Sequence, residues 1–129
     1  MINTNVYDYI NVLDKAADAS WLRNEVIANN IANDDTPGYK RQDVAFEDQL
    51  KQAMKNSRYQ STDEKIENLT TGSLKAKTYT DSSAYSYRLD GNNVDIDTEN
   101  VELASNQLKY NAVMQSVNEE FSNLKMVMR

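Results

Sequence analysis

From Leu103 to the carboxyl end, large or apolar residues recur at alternating steps of four and three: Leu103, Gln107, Tyr110, Met114, Val117, Phe121, Leu124 and Met128. That period is a heptad seam on one side of an α-helix. Running from about residue 98 to the end, such a helix is ~48 Å long at about 1.5 Å per residue. Val101, Ala104 and Leu108 form a second strip beside its start. Asp97 or Thr98 is the expected N-cap, Glu99 and Glu102 sit near the positive end of the dipole, and Lys125 and Arg129 sit near the negative end. A rod of this length cannot bury its own stripe, so the chain must supply or find a partner for it.

The opposite end carries the match. Ile10, Leu13, Ala17, Ser20, Asn24, Ile27 and Ile31 repeat the same alternation, with Ser20 and Asn24 making its middle polar and Trp21 and Ala28 expected to widen the stripe. Asn3, Thr4 and Asn5 offer caps for a helix over residues 6–33, roughly 40 Å long. The expected fold is therefore mainly α, with the two long terminal helices returning as an antiparallel, coiled-coil-like pair crossing near +20°. Ordering two such helices costs about as much as burying their seams gains, so the pair is marginal alone. Both termini are expected to be substantially disordered in the monomer, with folding coupled to association.

Three segments follow: residues 1–39 with the first helix, a polar middle over 40–89, and 90–129 with the second helix. In the middle, Phe46, Leu50, Ala53 and Met54 suggest a short helix, and residues 57–68 read as solvated loop. Thr78, Tyr79, Thr80, Tyr85 and Tyr87, between turn signals at Thr71-Gly72 and Asp90-Gly91, suggest a small hairpin or extended arm. So few aliphatic residues cannot enclose a dry catalytic pocket. The whole chain of 129 residues has no cysteine and no histidine, which removes thiolate chemistry and the commonest general base and metal ligand. Fourteen basic against twenty acidic side chains, net charge -6, argue against nucleic acid and anionic membranes as partners. No cofactor or small-molecule substrate is expected, and no apolar run reaches the ~18 residues of a membrane span. The start lacks the basic and apolar regions of a cleavable signal.

Between the first seam and the middle lies Ala28-Asn29-Asn30-Ile31-Ala32-Asn33, then Asp34-Asp35-Thr36-Pro37-Gly38-Tyr39. Three amides in six positions suit a surface that must hydrogen-bond neighbouring backbone, and Pro37-Gly38 fits the centre of a type II turn. This run resembles the N-terminal signature of the bacterial flagellar axial proteins, those of the rod, hook and hook junction. Asp90-Gly91-Asn92-Asn93-Val94-Asp95-Ile96-Asp97, continuing through Glu99 to Leu103-Ala104-Ser105-Asn106-Gln107-Leu108-Lys109-Tyr110, is similar to the C-terminal signature of a proximal rod protein. The two cover about residues 9–41 and 89–128; nothing in 56–88 matches.

The resemblance implies a structural subunit of a helical tube that transmits torque and forms the export channel. It implies export through the flagellar type III apparatus to the periplasmic rod, and partners among other rod proteins (the FlgC, FlgF and FlgG types), the basal adaptor FliE and the export gate. A FlgC-type rod protein and a cytosolic helical adaptor or export chaperone are the alternatives; an enzyme is least supported. Asn29, Asn30, Ile31, Ala32, Asn33, Thr36, Pro37, Gly38 and Tyr39 then fix the register between neighbouring subunits, and a polar helix end near its C-cap is the bland reading of the same residues. Phe46 and Leu50 match the Phe-x-x-x-aliphatic pattern associated with the export gate, although i, i+4 pairs also share a buried face on ordinary helices. The aspartates at 90, 95 and 97 with Asn92 and Asn93 superficially resemble a calcium loop, but the spacing fails and a turn leading into a helix explains them. The methionines and tyrosines of the seams are core packers by default.

Overall fold

A computed structural model describes residues 5–55, 60–67, 69, 71–82 and 88–128. It is mainly helical: α1 (Asn5–Ala32), β1 (Gln42–Ala45), α2 (Glu47–Met54), α3 (Thr62–Glu67), a 3-10 turn at Thr71–Ser73, β2 (Lys77–Thr80) and α4 (Ile96–Val127). At about 1.5 Å per residue α1 and α4 are ~42 and ~48 Å long. They lie against each other along their lengths. Asn30 reaches Glu99, Ser20 and Asn24 meet Asn106, and the rings of Trp21 and Tyr110 stand 6.5 Å apart at 52°. Falling numbers on α1 thus meet rising numbers on α4, so the helices run antiparallel.

The seam on α1 is inward as its period predicts: Ser20 and Ile27 are buried, and Ile10, Leu13, Ala17, Asn24 and Ile31 are half-buried. Trp21 and Ala28 do not widen it; Trp21 is 65% exposed. The widening is on the other flank, where Ala16, Ala19, Arg23, Val26 and Asn30 repeat the alternation one residue earlier. This second face carries the middle segment: Ala19 forms a core with Phe46 and Leu74, surrounded by Ala16, Leu50, Leu69 and Ala76.

On α4 the inward stripe is rotated from the expected one. Leu103, Tyr110, Met114, Val117 and Leu124 are half-buried, but Gln107 and Phe121 face solvent, and Asn106, Val113 and Glu120 take the inward places. Asn106 causes part of this turn. Its amide donates to Ser20 O at 2.7 Å and Asn24 Oδ1 at 2.8 Å, bonds that Gln107 one position on does not make. Met128 lies past the helix as its C-cap and is 82% exposed. The N-cap is Asp95, earlier than Asp97 or Thr98, accepting from the backbone of Asp97 and Thr98. The bonds from Thr98 hold its carboxyl below the usual aspartate range.

In the middle, α2 follows the expected pattern. Residues 57–68 are not all loop: α3 lies there and buries Ile66. Nor is the sheet a local hairpin. β2 pairs antiparallel with β1, Gln42 opposite Thr80 and Ala45 opposite Lys77, with α2 and α3 intervening in the chain. The side chain of Asn5, the caps at Asn3 and Thr4, Tyr85, Tyr87 and Arg129 lie outside the described residues.

Candidate assembly site

The residues singled out after α1 converge with those before α4. The carboxyl end of α1 unwinds at Asn33, and Tyr39 N donates to Thr36 O at 3.2 Å across Pro37-Gly38. Gly38, with φ +72°, has the backbone that position i+2 of a type II turn requires. Gly38 N also donates to Asp90 O at 2.8 Å, and a Cβ on Gly91, itself at φ +76°, would lie 3.8 Å from the Gly38 Cα. Two chain turns thus meet through their glycines.

Asn92 holds this junction. Its amide, with no exposed surface, donates toward the carbonyls of Asn33 (2.9 Å), Asp34 (2.8 Å) and Thr36 (3.0 Å), while its Oδ1 accepts from Val94 N at 2.7 Å. Arg88 adds ion pairs to Asp34 and Asp90. Asn93 ties the ends of both strands, accepting from Arg41 N at 2.7 Å and donating to Asp81 O at 2.8 Å.

Asn30, fully buried, is the second anchor. It exchanges both backbone bonds with Gln42, its Nδ2 donating to Gln42 O at 2.8 Å and its Oδ1 accepting from Gln42 N at 2.9 Å. The amide thereby acts as a neighbouring strand for β1. Its second hydrogen goes to Glu99 Oε2 (3.0 Å) and its second lone pair to the Tyr39 hydroxyl (3.1 Å). Glu99, also with no exposed surface, accepts from Arg41 Nε at 2.7 Å, and Arg41 in turn pairs with Asp81. Burial alone lowers the Arg41 pKa, but Glu99 and Asp81 outweigh it and leave it raised. Burial, then the charge of Glu99, raises the Tyr39 phenol.

The nine signature residues therefore divide. Asn30 has every hydrogen-bonding position of its amide used within the chain. Asn33 bonds locally, its Nδ2 to Asn29 O and its Oδ1 from the Thr36 hydroxyl. Ile31 and Tyr39 are half-buried, whereas Asn29, Ala32, Thr36, Pro37 and Gly38 are exposed. Phe46 is buried in the core and Leu50 packs beside it. The aspartates weighed as a calcium loop are occupied in the turn and cap: Asp90 accepts from Asn92 N and Asp95 caps α4.

The site roles of Arg41, Glu99, Arg23 and Glu47 leave no mark in the sequence, because a buried charge is legible only with its partner. Arg23, on the second face of α1, grips Glu47 through two bonds of 2.6 Å and donates to Val44 O at 2.8 Å. The Arg23 hydrogen bonds draw the Glu47 pKa down from 4.5 to about 2. Because the folded value is depressed, the stabilisation is complete above about pH 4.5 and is lost as pH falls through about 2. Glu47 is 56% exposed, so solvent screening cuts the effect to about 1 kcal/mol. Glu47→Gln is expected to lower urea stability by that amount at pH 7. The difference from the parent should vanish near pH 2.

Residues 10–40 match the family described as "Flagella basal body rod protein". Among similar curated proteins, the flagellar basal body rod protein FlgB of Bacillus subtilis (strain 168) is 36% identical over 116 residues, 90% of this chain and 89% of that protein. FlgB of Escherichia coli (strain K12) is 33% identical over 83% of each chain, and FlgB of Borrelia hermsii is 32% identical over 97% of this chain and 99% of its own.

Proposed function

Since the chain belongs to the FlgB family of flagellar basal body rod proteins, and is accordingly a structural rod subunit, we propose that it builds the proximal section of a helical tube through heterologous contacts between copies and neighbouring rod proteins. The observation that carries this reading is the unburied apolar surface of the helix pair. Trp21 is 65% exposed, Val101 69%, Leu108 72% and Phe121 53%, with Met126, Val127 and Met128 beyond. Paired helices that leave such residues outside gain by packing their outer faces on other subunits in coiled-coil fashion. The axial arms thus line the tube, and many repeated contacts give it stiffness against torque. Exposed Asn29, Ala32, Thr36, Pro37 and Gly38 set register between copies, while residues 40–89 form the outer arm. None of this uses a bound cofactor or a reaction. Relatives named FlgB do not favour the FlgC-type or cytosolic adaptor alternatives.

Leu108→Asp tests this reading. At 72% exposure the change is expected to alter folding stability by less than about 0.5 kcal/mol. In a motile strain lacking its own copy, it should abolish rod assembly and swimming. Normal swimming would overturn the reading.

We further propose that the chain reaches the periplasmic rod through the flagellar export apparatus, a reading supported by its likeness to flagellar rod proteins. Its partners there are FlgC-, FlgF- and FlgG-type rod proteins and FliE. No described helix is long and apolar enough to cross a membrane. Gate recognition by Phe46 and Leu50 requires a chain whose core is open, because Phe46 is only 4% exposed when folded. Phe46→Ala and Leu74→Ala both remove a large side chain from one core, at ~2–5 kcal/mol each. Secretion is expected to fail only in Phe46→Ala; equal secretion of the two variants would sink the recognition role.

A further inference from the structure

The two edges of the small sheet are treated differently. The bond from Asp81 N to Arg41 O, 2.9 Å, sets the alternation of the ladder. Residues 41, 43 and 45 face β2, while Gln42 and Val44 turn their backbone groups toward α1. That edge is closed by side chains: Asn30 takes both groups of Gln42, Arg23 takes Val44 O, and Asp43 Oδ1 takes Val44 N. On β2 the same alternation turns the N–H and C=O groups of Thr78 and Thr80 outward. Among the described residues nothing pairs with them, and all four residues of β2 are exposed.

The residues around this open edge are self-complementary about Tyr79: Lys77-Thr78-Tyr79-Thr80-Asp81 has Thr on both sides of Tyr79 and opposite charges at the ends. We propose that β2 pairs antiparallel with β2 of a second copy, in the register that places Tyr79 opposite Tyr79 across a two-fold axis. Each Thr78 then faces a Thr80 of the other copy and exchanges two backbone bonds, four in all. Each Lys77 faces an Asp81, on the same side of the sheet as the tyrosines, adding charge complementarity to a carboxylate that already holds Arg41. A shift by one residue turns the outward groups away from each other, and a shift by two sets Lys77 against Tyr79. The chain's own pattern therefore selects a second copy in one register. Because a two-fold contact closes on itself, it occupies an edge otherwise open to indefinite strand addition. This pairing belongs to subunits outside the tube, because a helical tube built by heterologous contacts places no two-fold axis between neighbouring copies.

The chain has no cysteine, so Tyr79→Cys introduces a single thiol. In the proposed register the two Tyr79 positions form a non-hydrogen-bonded pair with Cα atoms about 4.5 Å apart, within disulfide reach. On mild oxidation of the full-length protein, Tyr79→Cys is expected to give disulfide dimer at least tenfold faster than Ser122→Cys, an exposed position on α4. Adding Lys77→Glu, which sets like charges opposite each other, should slow that reaction at least fivefold. A mixture of Thr78→Cys and Thr80→Cys should cross-link faster than either variant alone, a check that does not depend on replacing the tyrosine. Equal rates for Tyr79→Cys and Ser122→Cys, together with no advantage for the mixture, would overturn the pairing.

Discussion

Glu99→Ala is expected to lower folding stability by ~3–5 kcal/mol, a large part of the ~5–15 kcal/mol typical of a domain. The carboxylate lies at the meeting of α4, the end of α1 and the start of β1, and has no exposed surface. Removing it leaves the Arg41 guanidinium, whose side chain is 16% exposed, with Asp81 as its remaining carboxylate bond, and leaves one hydrogen of Asn30 unpaired. Glu99→Gln retains the shape but not the logic: its amide NH2 must face a donor from Arg41 or from Asn30. It is expected to recover less than half of the loss. Glu102→Ala, exposed on the same helix, should stay within ~0.5 kcal/mol of the parent. Urea unfolding of the three variants followed by circular dichroism measures the order.

Asn92→Ala is expected to cost ~3 kcal/mol, since a buried amide addressing three carbonyls and one N–H is lost and those groups are left without it. Asn92→Asp provides the sharper sign. An ionised carboxylate would face the oxygens of Asn33, Asp34 and Thr36, so this nearly isosteric change should be worse than alanine at pH 7. Its deficit should shrink on acidification, as protonation restores a donor. Thermal melts at pH 7 and pH 4 check both statements, and amide exchange at Tyr39 reports whether the turn has opened.

The parts of the fold written in local periodicity were legible. Both long helices, α2 and the Pro37-Gly38 turn follow from spacing and turn chemistry within a few neighbouring residues. Ser20 and Asn24 look like defects in a seam until Asn106 is set opposite them, where they become hydrogen-bonding partners. Arg23 and Asn30 hide the second face of α1 because a polar residue breaks an apolar pattern even when its charge or amide is matched. The strand at 77–80 was visible in its composition, but not its partner at 42–45, because pairing across two intervening helices leaves no local trace. In the candidate site, the two signatures were recognisable; that they close on each other, through Asn92 and Glu99, required the folded chain.

The bonds from Asn30 to Glu99 and from Asn106 to Ser20 join residues 69 and 86 positions apart. Contacts of such separation form late, because the intervening chain must lose its freedom before any of them is rewarded. A growing or threading chain of which only the first ninety residues have emerged holds Asn30, Arg41 and Ser20 but neither of their α4 partners. Its first helix can lean on the middle segment through Ala19 and Arg23, but the seam that α4 covers is bare, and its sheet lacks the Asn93 stitch. The subunit is therefore timed by its own topology: the long-helix pair cannot close until the last quarter of the chain emerges.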